Sequence, residues 1–244
     1  MRTFVIGDIH GSYRALKQCL ERSNFNKEAD VLITLGDIAD GWSEVVETIE
    51  ELLTIKNRID IRGNHDEWAY EYLTVGATPL IWTSQGGRAT IESFKRASVE
   101  QLEKCNAFFR GQHYYYLDDK KRLFVHGGVS WNTPLEEQHK QGMTWDRHMY
   151  NVASYWELQV RRGTQEGNLF KDYFEVYIGH SATPFNFNSG LGPSYEPCRV
   201  SNLWNLDQGA GWGGKLSIMD IDTKEFWQSD LVEELYPEEK GRRG

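Results

Sequence analysis

Cysteine is scarce in this chain of 244 residues: Cys19, Cys105 and Cys198 are far apart and odd in number. Such a set argues against a disulfide framework or a zinc ribbon and fits the ordinary thiols of a reducing compartment. Long apolar runs are missing as well. The first, Phe4-Val5-Ile6, ends before Asp8, too short for a signal peptide, and no span approaches membrane length. Net positive charge is also absent, with 36 acidic residues against 27 Lys and Arg, a balance of -9. An acidic surface disfavours a nonspecific grip on nucleic acid or an anionic membrane, although bound cations would offset the charge locally. There is no internal repeat and no domain linker. We therefore expect a soluble cytoplasmic protein with one α/β domain over residues 1–236, followed by a charged tail, 237–244, that frays.

Apolar β-type runs at 3–6, 31–35, 59–61, 123–125 and 174–178 predict strands, and 216–221 with 225–228 predict a late pair joined at Asp222-Thr223-Lys224. Leu16 and Leu20 share a helical face after Ser12. Val45, Ile49, Leu52 and Leu53 repeat behind an N-cap at Ser43. Strand, helix, strand, helix, strand is the pattern of parallel crossovers. Residues 90–109 and, with interruptions, 138–160 read as helical. Residues 183–202, with Pro184, Pro193 and Pro197, read as a long loop.

Five short runs carry the chemistry: Gly7-Asp8-Ile9-His10-Gly11, Gly36-Asp37-Ile38-Ala39-Asp40, Arg62-Gly63-Asn64-His65-Asp66, His126-Gly127-Gly128 and Gly179-His180-Ser181. They follow predicted strands, and strand ends give metal ligands a rigid frame. Asp8 and His10 stand two apart, so an extended backbone would aim both at one ion. Asp37 has two oxygens and can bridge two ions; Asn64 offers a neutral carbonyl oxygen. Two ions about 3.5–4 Å apart form the clamp used in phosphoryl-group hydrolysis.

In this order the runs resemble the calcineurin-like metallophosphoesterases, whose pattern reads GDxHG, GDxxDRG, RGNHE, HxG and GHT. The closer similarity is to the phosphoprotein phosphatase branch, whose bacterial and phage members include the lambda-type phosphatase and the symmetrical diadenosine tetraphosphate hydrolases. Weaker echoes lie at Gly86-Gly87 with Thr90 and Ser93, at 134–138 before Trp145-Asp146-Arg147, at 205–209 and at 213–216, so the likeness runs from about residue 3 to about residue 221.

The resemblance implies a four-layer α/β/β/α sandwich with two mixed sheets. It places Asp8, His10 and Asp37 on a first divalent ion, and Asp37, Asn64, His126 and His180 on a second. Manganese is the first expectation, with iron or zinc as alternatives. It makes His65 the general acid, oriented by Asp40, and Arg147 a phosphate-binding residue, with Asn64 also at the substrate and Arg62 in a supporting role. The implied reaction is in-line attack of metal-bound hydroxide on a phosphomonoester. A phosphoserine or phosphothreonine protein is the first expectation for the substrate, with small phosphoesters beside it.

Two alternatives stand: a hydrolase of dinucleoside polyphosphates, and a metal-containing binding protein with weakened catalysis. The second rests on one departure. Where the family places a phosphate-gripping Arg, this chain has Trp42, and Arg161, Arg162 or Arg199 could reach in instead. Asp66 for Glu and Ser181 for Thr are milder exchanges. Of the 9 Trp, those at 42, 131, 145, 156, 204 and 212 lie near motifs or in the later loops. Packing is their expected role, with stacking on a base or flanking a peptide as the other reading for one or two.

Overall fold

The computed structural model describes residues 1–185 and 191–244. From the N-terminus, β1 (Thr3–Ile6) leads through α1 (Tyr13–Arg22) to β2 (Val31–Thr34), and α2 (Val45–Leu53) leads on to β3 (Asn57–Asp60). Next come α3 (Asn64–Val75), the short α4 (Leu80–Trp82), α5 (Arg88–Arg96) and α6 (Val99–Gly111), then the hairpin of β4 (Tyr115–Leu117) and β5 (Arg122–Val125). Helices α7 (Lys140–Trp145) and α8 (His148–Arg161) precede β6 (Glu175–Ile178), β7 (Cys198–Val200) and β8 (Leu203–Asn205). The last elements are β9 (Ser217–Asp220), β10 (Phe226–Gln228) and the single turn α9 (Val232–Leu235).

Two five-stranded sheets result, ordered β10-β9-β1-β2-β3 and β4-β5-β6-β8-β7. In the first, β1, β2 and β3 are parallel. In the second, β5, β6 and β8 are parallel. The alternation of side chains along each strand sorts the core into layers. Val5, Ile33 and Met219 meet Phe124 and Tyr177 in one buried cluster between the sheets. There the Phe124 and Tyr177 rings stack with centroids 4.9 Å apart. Phe4, Ile6, Leu32 and Ile218 face the other way, into a cluster with Leu16 of α1, Ile49 of α2 and Phe109 of α6. Leu123, Val125, Val176 and Ile178 cluster with Met149 and Ala153 of α8. Each large apolar side chain so buried contributes about 1.5–3 kcal/mol. The architecture is the four-layer α/β/β/α sandwich.

Several expectations shift in detail. The helix expected over 90–109 breaks at Ala97 and Ser98, because Ser98 accepts from the Gln101 amide and starts α6 afresh. Ser43 is not the cap of α2; its hydroxyl donates to Glu239 at 2.7 Å, and Glu44 holds the cap position. Inside the expected loop, β7 pairs antiparallel with β8. Residues 186–190 of that loop lie outside the described residues. In the tail, Gly241 is buried, and Gly241–Arg243 form a 3-10 turn against the rest of the fold.

Candidate active site

The parallel strands of both sheets end at one place, and their loops carry the motifs. Asp8 and His10 follow β1, Asp37 and Asp40 follow β2, Asn64 and His65 follow β3, His126 follows β5, and His180 follows β6. All eight are buried. The backbone here is not simply extended: His10, Asp37, Asp40 and His180 have φ of 53, 50, 73 and 62°. Left-handed conformations at non-glycine residues store strain and concentrate at functional sites. The expected extended geometry from Asp8 to His10 is thus replaced by a turn, although the two still converge. Gly63 and Gly179 are required for a different reason, because a Cβ at either would collide with a carboxylate oxygen, of Asp37 and of Asp8 respectively.

Two triads of possible metal donors emerge, Asp8–His10–Asp37 and Asp37–His126–His180, each with its donor atoms within 4.8 Å of one another. Asp37 belongs to both, and its two oxygens divide between them. Oδ2 lies 3.6 Å from His10 Nε2, and Oδ1 lies 3.4 Å from His126 Nε2. Asn64 Oδ1 is 3.2 Å from His126 Nε2, at the second triad. Backbone carbonyls orient two of the imidazoles: His10 Nδ1 sits 3.0 Å from the Ala39 carbonyl and His126 Nδ1 2.7 Å from that of Leu35. Each Nε2 is left to face the cluster, since a carbonyl that holds one ring nitrogen turns the other toward a metal. His180 Nε2 is buried with no hydrogen-bond partner among the described residues. An orphaned imidazole nitrogen beside shared carboxylates and a carboxamide fits a pair of divalent ions of borderline hardness.

The electrostatics agree with that fit. Burial, reinforced by Asp207, raises the Asp8 carboxyl well above its usual range. Burial also raises Asp37, but the charge of His126, reinforced by its hydrogen bond, reverses the balance and holds it well below. Burial keeps His10 and His180 neutral, the form in which imidazole binds a metal. His126 is the exception: burial lowers it, but Asp37 outweighs that and lifts it to about 9, so an ion at its Nε2 must displace a proton.

Beside the triads, His65 Nδ1 and Asp40 Oδ2 approach to 2.5 Å. Asp40 also accepts from Thr90 Oγ1 at 2.6 Å and from Trp82 Nε1 at 2.8 Å. Burial drives both members of the pair toward neutrality, Asp40 up to about 8 and His65 down to about 3. Asp66, short for its family position, nevertheless binds the motifs together. It accepts from the backbone of Ile38 at 2.7 Å and Gly63 at 3.0 Å, and from Gln112 at 2.8 Å.

A cleft of about 560 Å³ opens next to His180, lined among others by Arg147, Phe185, Trp212 and Arg242. Arg147, expected to bind phosphate, is thus among the residues lining the cleft. Arg62 does not line the cleft. Its guanidinium is committed to Glu67 at 2.7 Å, to the Phe109 carbonyl and to the rings of Tyr70 and Tyr114. Arg161 pairs with Glu157, Arg199 bonds the Ser201 carbonyl, and Arg162 caps α8; none of the three lines the cleft. Trp42 is core, donating to the Ala210 carbonyl at 2.9 Å and stacking on Tyr236. Arg242, Trp82 and Asp207 are additions to the site. Thr90 and Asp207 lay within the weaker echoes, but nothing in the sequence marked Arg242 or Trp82.

Comparison with known proteins places this arrangement. The family of calcineurin-like phosphoesterases matches residues 1–207. A symmetrical bis(5'-nucleosyl)-tetraphosphatase of Xanthomonas axonopodis is 22% identical, over 93% of this chain and 84% of the relative. A crystal structure described as a candidate diadenosine tetraphosphatase superposes with a TM-score of 0.65 at 15% identity, covering 93% of this chain and 92% of the other. A serine/threonine phosphatase from Saccharomyces cerevisiae superposes at 0.59 with 13% identity, covering 100% and 84%. The chain belongs to the calcineurin-like phosphoesterases, metal-dependent hydrolases of phosphoric esters.

Proposed function

We propose that this chain hydrolyses dinucleoside polyphosphates, with bis(5'-nucleosyl) tetraphosphates as the preferred class, in place of the phosphoproteins first expected. The observation that carries this reading is the shape of the surface beside the triads. The cleft at His180 adjoins a second depression of about 640 Å³, and Phe185, Trp212 and Arg243 line both. Two neighbouring recesses divided by aromatic rings suit a ligand with a base at each end and a polyphosphate between them. The tetraphosphatase likeness over 93% of the chain supports the same choice.

Asp8, His10 and Asp37 would hold one divalent ion and Asp37, Asn64, His126 and His180 the other. Bound there, the ions supply Lewis-acid charge and a water of lowered pKa. Arg147 takes an oxygen of the scissile phosphate and balances charge that builds up in flight. His65 directs its Nε2 toward the triads, 4.0 Å from Asp37 Oδ2, while Nδ1 faces Asp40. His65 can therefore release the Nε2 proton to the leaving oxygen as Nδ1 takes one from Asp40, with no free imidazolium required.

A panel of diadenosine tetraphosphate, phosphopeptides and para-nitrophenyl phosphate, assayed with manganese, tests the assignment. The expected result is highest kcat/KM on the dinucleotide, with two molecules of ADP as products. Preference for phosphopeptides would overturn it.

A further inference from the structure

The charged tail does more than close the chain. Glu239 accepts from the Ser43 amide at 3.0 Å and from its hydroxyl at 2.7 Å, which fixes the tail beside the second motif. Two residues on, Gly241 sits so close to the indole of Trp42 that a Cβ would stand 2.8 Å from its Cζ2, and 2.6 Å from the Gly211 carbonyl oxygen. The Arg242 side chain then runs along three glycines. A Cβ at Gly41, Gly86 or Gly211 would meet its Cγ at 3.4 Å, its Cγ at 3.2 Å or its Cδ at 2.9 Å. Glycine at these positions leaves the side chain room to lie close against the backbone. At its end the guanidinium lies 4.6 Å from the Trp212 ring centre and donates to Gln85 Oε1 at 3.0 Å, while Nε is buried without a partner among the described residues.

We propose that Arg242 is a phosphate-binding residue of the active site, a second guanidinium lining the cleft with Arg147, and that Trp42 is the shelf that docks the tail to deliver it. Two cationic side chains in one recess repel each other, and an anion bound between or beside them relieves that repulsion. The Arg147 guanidinium registers that repulsion, since burial and then the charge of Arg242 both lower its proton affinity. A planar fork with donors left over suits an equatorial phosphoryl oxygen or an adjoining phosphate of the chain. Trp42 thus exchanges a local arginine for one brought from the C-terminus. Ser43 and Glu239 are positioning residues.

This inference rests on the phosphoesterase reading, and its test separates the two. Inorganic phosphate is titrated calorimetrically into manganese-loaded wild type, Arg242→Gln, Arg242→Lys and Glu239→Gln, each first checked for an unchanged unfolding midpoint. Arg242→Gln is expected to weaken phosphate binding roughly 10- to 100-fold, the worth of one or two charge-assisted hydrogen bonds. Arg242→Lys should recover part of that loss, and Glu239→Gln should lose less. With para-nitrophenyl phosphate, Arg242→Ala should regain rate on addition of millimolar guanidinium ion, which a merely structural arginine would not allow. Wild-type phosphate affinity in a well-folded Arg242→Gln overturns the inference whatever the enzyme cleaves. A wild type inert toward every phosphoester, but whose phosphate binding depends on Arg242, overturns the functional reading and supports the role of the tail.

Discussion

His65 illustrates how a single imidazole acquires a role from its surroundings. Its Nδ1 is fixed by Asp40, which is itself held by Thr90 and Trp82, so the ring has one orientation and its other nitrogen faces the triads. A proton delivered there matters most when the departing oxygen is strongly basic, and less for the nucleoside diphosphate that leaves a dinucleoside tetraphosphate. His65→Asn should therefore lower kcat about 100-fold or more on a substrate with an alkoxide leaving group, such as a phosphoserine peptide or an alkyl phosphate. The loss on para-nitrophenyl phosphate should be far smaller, because nitrophenolate leaves unaided. Steady-state kinetics on the two classes checks this, and an equal loss on both would assign His65 to packing or metal positioning instead.

At the scale of elements, the first crossover depends on one carboxylate. Asp30 lies just before β2 and accepts from the Arg2 amide at 2.9 Å and the Asn26 amide at 3.1 Å, with the Arg2 guanidinium at 2.7 Å. It thereby fixes the start of β1 to the start of β2. Burial would raise its pKa, but the Arg2 and Asn26 hydrogen bonds win and hold it below the usual value. The Arg2 side chain is 41% exposed, so solvent screens that pairing and the backbone bonds carry most of the effect. Asp30→Asn should cost about 1–2 kcal/mol at pH 7. A depressed carboxylate pKa adds stability that is complete above roughly pH 4 and is lost as pH falls through the folded value. Urea unfolding at pH 7 and near pH 3 should thus show a deficit in the variant that narrows in acid; a constant deficit would refute the linkage. The crossovers themselves were legible because Val31–Thr34 belongs to an unbroken apolar run of the kind a buried parallel strand needs, and Val45–Leu53 carries a 3.6-residue period. The three-residue strands β4, β7 and β8 were not, since a run so short shows no period. Helix α3 was also missed: it begins inside the third motif, at Asn64, where ligand chemistry rather than amphipathicity dictates the residues. The metal triads were legible because strand-end loops of both sheets converge; Arg242 was not, because nothing in residues 237–244 signals where they dock.

For the whole molecule, the site is a concentration of buried charge that the fold tolerates at some cost. Asp8, Asp37, Asp40 and Asp207 are all buried around three imidazoles of the triads, in a chain of net charge -9. Burial raises Asp8 strongly and moves Asp207 up to about 6, so these carboxyls gain from a nearby cation. Divalent ions that bind only the folded chain stabilise it by about 2.7 kcal/mol at a hundred times their Kd. Manganese should accordingly raise the unfolding midpoint of the apoprotein by several degrees, and a chelator should remove the increase. Asp37 decides whether the two triads act as one centre, because its oxygens divide between His10 and His126. Asp37→Asn should depress both binding steps, leaving fewer than two manganese ions per chain by elemental analysis and a smaller thermal shift. His10→Asn, which touches one triad only, should leave one ion bound with near-native affinity. Two tightly held ions in Asp37→Asn would show that the sites are independent, and the shared-carboxylate account of this centre would fall.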